Sequence, residues 1–227
     1  MAAWAGDFAR RVGSRIGIAA EGVTMAAGVL AAGTLALVLG WQWVGLLVIL
    51  CGLAVAAFFR DPERSPASCS DHLVLSGADG TVSDVVKMPL PEGATGDHYH
   101  RVSVFMSPLN VHVNRAPVSG EIISVRHTPG SFHAAFRDSA SEQNERNLIV
   151  LSDARGRQHA IIQIAGYLAR RIVCRINPHD TVRCGERIGL IMFGSRVDHF
   201  IPPDYRVMVK IGERVRAGES IIGELPQ

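Results

Sequence analysis

Two long stretches without a charged residue, 23–39 and 44–59, lie in the first quarter of a 227-residue chain. Only Gly40-Trp41-Gln42-Trp43 separates them. At about 1.5 Å per helical residue, a bilayer core takes about 20 apolar residues. The first stretch comes close to that and the second falls slightly short. The spacing therefore predicts two tilted or shallow helices joined by a tight turn, with both tryptophans in the interfacial zone. Arg10, Arg11 and Arg15 precede the pair, and Arg60 and Arg64 follow it. Positive flanks at both ends place both on the cytoplasmic side. No small-residue cleavage site follows a compact apolar core, which argues against a removed signal. The competing reading is a buried helical hairpin of a soluble protein, but apolar runs of this length are rare in soluble folds.

Past Pro66 the texture changes. Short Val- and Ile-rich segments at 73–75, 80–87, 101–106, 120–127, 147–151, 158–165 and 187–193 are punctuated by Gly, Pro, Asp and Asn. That rhythm belongs to a β-sandwich or barrel. One helix is expected at 166–173, and residues 135–146 read as a polar surface loop. Two weak internal repeats support a β-rich sandwich. Residues 181–188 parallel 214–221 at an offset of 33 through a shared V-x-x-G-E-x-I, and Asp79-Gly80-Thr81-Val82 parallels Ser119-Gly120-Glu121-Ile122. Such Gly-centred turns between short strands occur in biotinyl and lipoyl carriers and related barrel-sandwich hybrids. The expected fold is mainly β, a β-sandwich or barrel-sandwich-hybrid-like domain at 65–227 behind a hydrophobic helical hairpin at 1–64.

A formal net charge of +2 gives no case for nucleic-acid binding, which shows itself as a basic stripe. Cys51, Cys69, Cys174 and Cys184 have no CxxC spacing. They read as reduced thiols of a cytosol-facing protein. Lys87 and Lys210 are the only lysines, which speaks against a lysine-bound pyridoxal cofactor.

The candidate chemistry centres on residues 189–198. The apolar run 190–193 reads as a buried strand that stops at Gly194-Ser195, with Arg196 and Asp198 directly after it. A glycine before a serine can set the hydroxyl against its own backbone carbonyl; the plainer reading is a strand-to-turn junction. Asp79 lies in an Asp-Gly turn. His112 alternates with Val111 and Val113, as a polar residue on a strand would. His98 and His100 would share a strand face and make a metal pair, but no third ligand is spaced to join them, and no metal is expected. Arg60-Asp61-Pro62 stops a helix where lipid headgroups would lie.

The stretch Phe193-Gly194-Ser195-Arg196 resembles the self-cleavage site of the short phosphatidylserine decarboxylases. Phe59-Arg60-Asp61-Pro62, Ala78-Asp79-Gly80 and the run from Ser107-Pro108-Leu109-Asn110 to Arg115-Ala116-Pro117 match the same family in the same order. The resemblance implies cleavage between Gly194 and Ser195 into chains 1–194 and 195–227, held together as a heterodimer, with a higher homo-oligomer left open. It implies that Ser195 becomes a covalent pyruvoyl (pyruvate) group. That group takes the amine of phosphatidylserine as a Schiff base and releases phosphatidylethanolamine. It implies roles for Asp79 in self-processing and for His112 in proton transfer. Larger relatives carry a second histidine where this chain has Arg115; Arg115 and Arg196 are then candidate contacts for the substrate's charged groups. Gly77 stands where the family usually has proline. The expected location is the cell membrane, with the catalytic domain on the cytoplasmic side. Two other classes fit parts of the pattern: a tethered lipoyl- or biotinyl-like carrier using Lys210, and a sandwich-fold metallopeptidase using His98, His100 and His112.

Overall fold

Glycine sets how the two apolar helices meet. In the computed structural model, which describes residues 9, 12–66, 68–90, 98–130, 144–166, 171–192 and 195–226, α1 spans Ala20–Val38 and α2 spans Gln42–Phe58. A Cβ on Gly33 would stand 2.9 Å from the backbone nitrogen of Ile49, and one on Gly45 would stand 2.8 Å from that of Leu37. The helices approach where side chains are missing, as helices do when packing rather than water drives them together. Gly40, at φ +84°, makes the turn between them. The far ends are tied by Ala19 N–H donating to the Phe59 carbonyl at 2.7 Å and Asp61 N–H to that of Gly17. The outer surface stays apolar: Val38 is 78% and Trp43 85% exposed. At about 28 Å, α1 is the one helix among the described residues long and apolar enough to cross a membrane; α2 is shorter. Arg10 and Arg11 lie outside the described residues.

The chain divides into two compact units, Met1–Glu63 and Arg64–Gln227. The second is mainly β. Its fourteen strands are β1 (Leu73–Leu75), β2 (Gly80–Met88), β3 (Tyr99–Met106), β4 (Val113–Arg115), β5 (Gly120–Thr128), β6 (Arg146–Ser152), β7 (Gln158–Ile164), β8 (Ile172–Cys174), β9 (Thr181–Val182), β10 (Arg187–Ile191), β11 (Ser195–Ile201), β12 (Arg206–Val207), β13 (Arg214–Val215) and β14 (Ile221–Glu224). A curled antiparallel half-barrel sheet runs in the order β13-β2-β3-β11-β7-β6-β5-β9. Two three-stranded sheets, β1-β14-β12 and β4-β10-β8, complete it.

These orders are two copies of one pattern. Strands β1, β2, β3 and β11 to β14 pair as β4, β5, β6 and β7 to β10 do. The ladders slip at matching places, between Val82 and Asp84 and between Ile122 and Ser124. Leu75 N–H donates to the Pro117 carbonyl and Arg115 N–H to that of Gly77, both at 2.9 Å. The weak sequence repeats are the residue-level trace of this duplication: β13 lies against Gly80 and β9 against Gly120. Gly185 (φ +77°) and Gly218 (φ +74°) turn the chain at equivalent points.

Both faces of the central strands are buried. Val102, Val104, Met106, Ile149, Leu151, Ile161, Val197 and Ile201 fill the concave core. Tyr99, Leu148, Val150, Ala160, Ile162, Ile164 and Phe200 form a second cluster from the alternate positions. A sheet covered on both sides needs near-continuous apolar runs, which is why β6 and β7 read so plainly in the sequence.

Three expectations need correction. Ile172 and Val173 belong to β8, so the helix drawn at 166–173 does not extend there; residues 167–170 lie outside the described set, as do most of the loop at 135–146. Ser195 does not follow the end of a strand into a turn but opens the central strand β11. Cys69 and Cys184 are joined in a disulfide, while Cys51 and Cys174 are free. The pair lies 115 residues apart in sequence, and spacing along a chain does not reveal such a contact.

Candidate active site

Ser195 is the first residue of β11, opposite Met106 of β3, and has no solvent exposure. Its Oγ donates to the Met106 Sδ at 3.4 Å. A thioether is a weak acceptor, so this buried hydroxyl is poorly satisfied as it stands. Gly194 and Phe193 lie outside the described residues.

The turn after β3 brings His112 to the same end of the sheet. Ser107 N–H and Oγ donate to Asn110 Oδ1 at 2.8 and 2.7 Å, and Asn110 N–H donates back to the Ser107 carbonyl. His112 is buried, with Nδ1 3.0 Å from the Asn110 carbonyl. A carbonyl only accepts, so Nδ1 carries the proton and the basic lone pair falls on Nε2. The His112 carbonyl accepts from Ile191 N–H at 3.3 Å, on the segment that leads to residue 194.

Asp79 lies elsewhere. Its carboxylate is gripped by both terminal nitrogens of Arg64, Nη2 at 2.8 Å, and accepts from Ala217 N–H at 2.8 Å. Arg64 also donates to the Ala217 carbonyl at 2.7 Å. Through the registers, Thr81 pairs with Phe105 and Phe105 with Arg196. Thr81 is therefore level with Arg196 but two strands across, roughly 10 Å at ordinary strand spacing, and Asp79 lies two residues before Thr81. No histidine among the described residues hydrogen-bonds it.

The two arginines face away from Ser195. On β11, successive side chains alternate, and Arg196 occupies the opposite face, where its Nε lies 2.9 Å from Asp198 Oδ1 and its Nη2 3.1 Å from Oδ2. On β4, Arg115 reaches the Gly185 carbonyl at 2.9 Å. Its neighbour Asn114 turns the other way, toward Met106. Sequence reasoning thus singled out Arg115 and passed over the adjacent residue that shares the Ser195 environment.

Further residues were missed. Gln163 Nε2 donates to Asn114 Oδ1 at 2.8 Å, and Asn147 Nδ2 to Gln163 Oε1 at 3.0 Å. The one signal was an amide inside an apolar strand. His199, also on β11, accepts from Gly77 N–H at 2.7 Å through Nε2 and donates to the Val102 carbonyl through Nδ1. Burial pushes its pKa down to about 4, against the Val102 hydrogen bond and the Asp198 charge, which push it up.

The duplication makes the asymmetry of the two sheet ends explicit. Following matched registers, Ser195 corresponds to Arg157, Met106 to Asp153 and His112 to His72. At that second end stands an ion-pair cluster. Burial raises the Asp153 pKa, but hydrogen bonds from His159 and from the Arg157 and Arg155 backbone outweigh it and hold the group at about 2. No three His, Cys, Asp or Glu side chains among the described residues converge as metal ligands would.

A serine at 195 fits conversion to a pyruvoyl group. Its Cβ would become a methyl, and a methyl suits the Met106 thioether better than a hydroxyl does.

The family model "Phosphatidylserine decarboxylase" matches residues 52–223. Among curated proteins, the chain is 48% identical over 191 residues to a phosphatidylserine decarboxylase proenzyme of Ruegeria pomeroyi, covering 83% of this chain and 84% of that one. It is 40% identical over 209 residues to one of Solidesulfovibrio magneticus, covering 92% and 96%. It is 41% identical over 186 residues to one of Mycolicibacterium smegmatis, covering 81% and 80%.

Proposed function

The chain belongs to the phosphatidylserine decarboxylase family, and from that membership we propose that Ser195 is the residue that cuts its own chain and becomes the pyruvoyl group. The activity is that of the family: decarboxylation of phosphatidylserine to phosphatidylethanolamine, a step of phospholipid biosynthesis. The carrier and metallopeptidase alternatives give way to it. The observation that carries the assignment to Ser195 is its sealed hydroxyl, held among the described residues only by a sulfur at the head of the central strand.

In this reading the Ser195 Oγ attacks the Gly194 carbonyl carbon. The peptide bond gives way to an ester, elimination of that ester leaves chains 1–194 and 195–227, and ammonia is lost as the new terminus hydrolyses. A pyruvoyl group at position 195 would supply a ketone able to take up the substrate amine and an electron sink for the decarboxylation. His112 holds its donor on the Asn110 carbonyl and offers Nε2 to carry the proton. Asp79 contributes to processing by fixing the Arg64 and Ala217 segments. Arg115 and Arg196 hold β4 and β11 in the resting protein; either would have to release Gly185 or Asp198 to reach a headgroup.

The sandwich arrangement anticipated from the repeats is our reading of how the half-barrel and the two small sheets close. The unit Met1–Glu63 anchors the enzyme in the cell membrane, with the catalytic unit on the cytoplasmic side. Arg15 and Arg60 flank the apolar helices in the sense that favours this orientation. Self-cleavage makes the working enzyme a heterodimer of its own fragments.

The test is to add labelled phosphatidylserine to detergent-solubilised protein and reduce with borohydride. Label fixed to the fragment beginning at 195, with turnover lost, is the expected result. Label on the larger fragment, or phosphatidylethanolamine formed by a Ser195→Ala protein, would refute the assignment.

A further inference from the structure

A line of buried amides crosses the apolar core and ends at the sulfur that Ser195 touches. Asn147 Nδ2 donates to Gln163 Oε1, Gln163 Nε2 donates to Asn114 Oδ1, and Asn114 Nδ2 donates to Met106 Sδ at 3.8 Å. Ser195 Oγ donates to the same sulfur. None of the five side chains is more than 1% exposed. Every link runs the same way: Asn147 donates first, and Gln163 and Asn114 each accept from one neighbour and donate to the next.

We propose that Asn114, Gln163 and Asn147 are positioning residues for self-cleavage, acting through Met106. The inference rests on Ser195 being the residue that is cut. A hydroxyl attacks with an oxygen lone pair, so its proton must point elsewhere. Met106 accepts that O–H in a hydrogen bond and so aims the proton away from the attacking lone pair. Because a thioether accepts weakly, it fixes the direction without stabilising the resting serine strongly, and interactions that hold the ground state hard do not speed a reaction. A methionine side chain is flexible, with three rotatable bonds beyond the backbone. The Asn114 amide keeps its sulfur in place, Gln163 keeps Asn114 in place, and Asn147 does the same for Gln163. Gly189 leaves room for this: a Cβ there would stand 3.3 Å from Gln163 Nε2.

The duplicated half supplies an internal control. The positions that correspond to Asn114 and Gln163 are Val74 and Ile201, both members of the apolar core. The same fold is built there without amides. Polar groups at 114 and 163 therefore answer to something other than folding, and what they adjoin is Ser195.

The experiment follows cleavage of freshly synthesised full-length chain on denaturing gels, with thermal unfolding measured in parallel. Met106→Leu and Asn114→Leu should fold and cleave slowly, on the order of a hundredfold for a misplaced nucleophile. Gln163→Glu keeps an oxygen for Asn147 but donates to Asn114 only when protonated. Its cleavage should therefore accelerate as pH falls, relative to the unmodified chain. Cleavage of both leucine variants at the unmodified rate, or a Gln163→Glu profile parallel to that of the unmodified chain, overturns the proposal. Should the leucine variants fail to fold, the Gln163→Glu profile decides. An uncut unmodified chain overturns the Ser195 reading and this one with it; a cut chain with unaffected variants overturns this one alone.

Discussion

The N–H of Gly77 donates to Nε2 of His199 at 2.7 Å, joining the turn before β2 to the strand that Ser195 opens. Proline, usual at this position in the family this chain resembles, has no N–H and would leave the imidazole nitrogen bare. A Cβ at 77 would also stand 2.8 Å from the Arg115 carbonyl. Glycine at 77 and histidine at 199 are thus matched to each other.

This pair makes stability depend on pH. His199 titrates at about 4 in the folded protein, because burial disfavours its charged form, and near 6.5 when unfolded. Between those values the unfolded chain binds more protons, so stability falls as pH drops from about 6.5 toward 4, by on the order of 3 kcal/mol in full. Unfolding midpoints at pH 7 and pH 5 should differ in the unmodified protein and differ less in His199→Gln. Equal shifts in both would contradict the assignment. Asp153, whose folded value is about 2, acts only below this window.

Arg64 and Asp79 form an ion pair whose side chains are only 7% and 11% exposed. Removing one partner strands the other, which costs about 3–5 kcal/mol for buried pairs. Arg64→Met should lower the unfolding midpoint accordingly. A change within about 0.5 kcal/mol, the value for ordinary surface substitutions, would show that the pair is not holding the Ala217 segment.

Cys69 and Cys184 close a covalent loop over 115 residues. Constraining the unfolded chain to that extent is worth roughly 4 kcal/mol. Cys69→Ser should match the unmodified protein in dithiothreitol and be less stable than it without reductant. Thiol titration of the denatured, unreduced protein should find two thiols; four would contradict the bond.

Strands β11, β13 and β14 pair with β3 and β7, with β2 and with β1. The cut fragments should therefore co-elute under native conditions and separate only in denaturant. Dissociation of the smaller fragment in native buffer would contradict these pairings.

Much of this was legible because burial on both faces writes itself as apolar runs. The helices announced themselves by lack of charge, and β6 and β7 by their isoleucines and valines. β11 hid itself: Arg196 and Asp198 look like surface charges in sequence but neutralise each other in the interior. The short strands β9 and β13 were visible only as repeats. At the candidate site, Ser195 and His112 were singled out through motif resemblance, whereas Asn114, Gln163 and Asn147 look like strand-edge polarity until the registers bring them together. Disulfide partners and buried amide lines are tertiary facts, with no period for a sequence to display.

The most direct measurement is the intact mass of the purified protein under denaturing conditions. Two species, ending at Gly194 and beginning at position 195, with the smaller lacking a free amine at its N-terminus, are what this account requires. A single continuous chain that still carries serine at 195, in a preparation that decarboxylates phosphatidylserine, would contradict it.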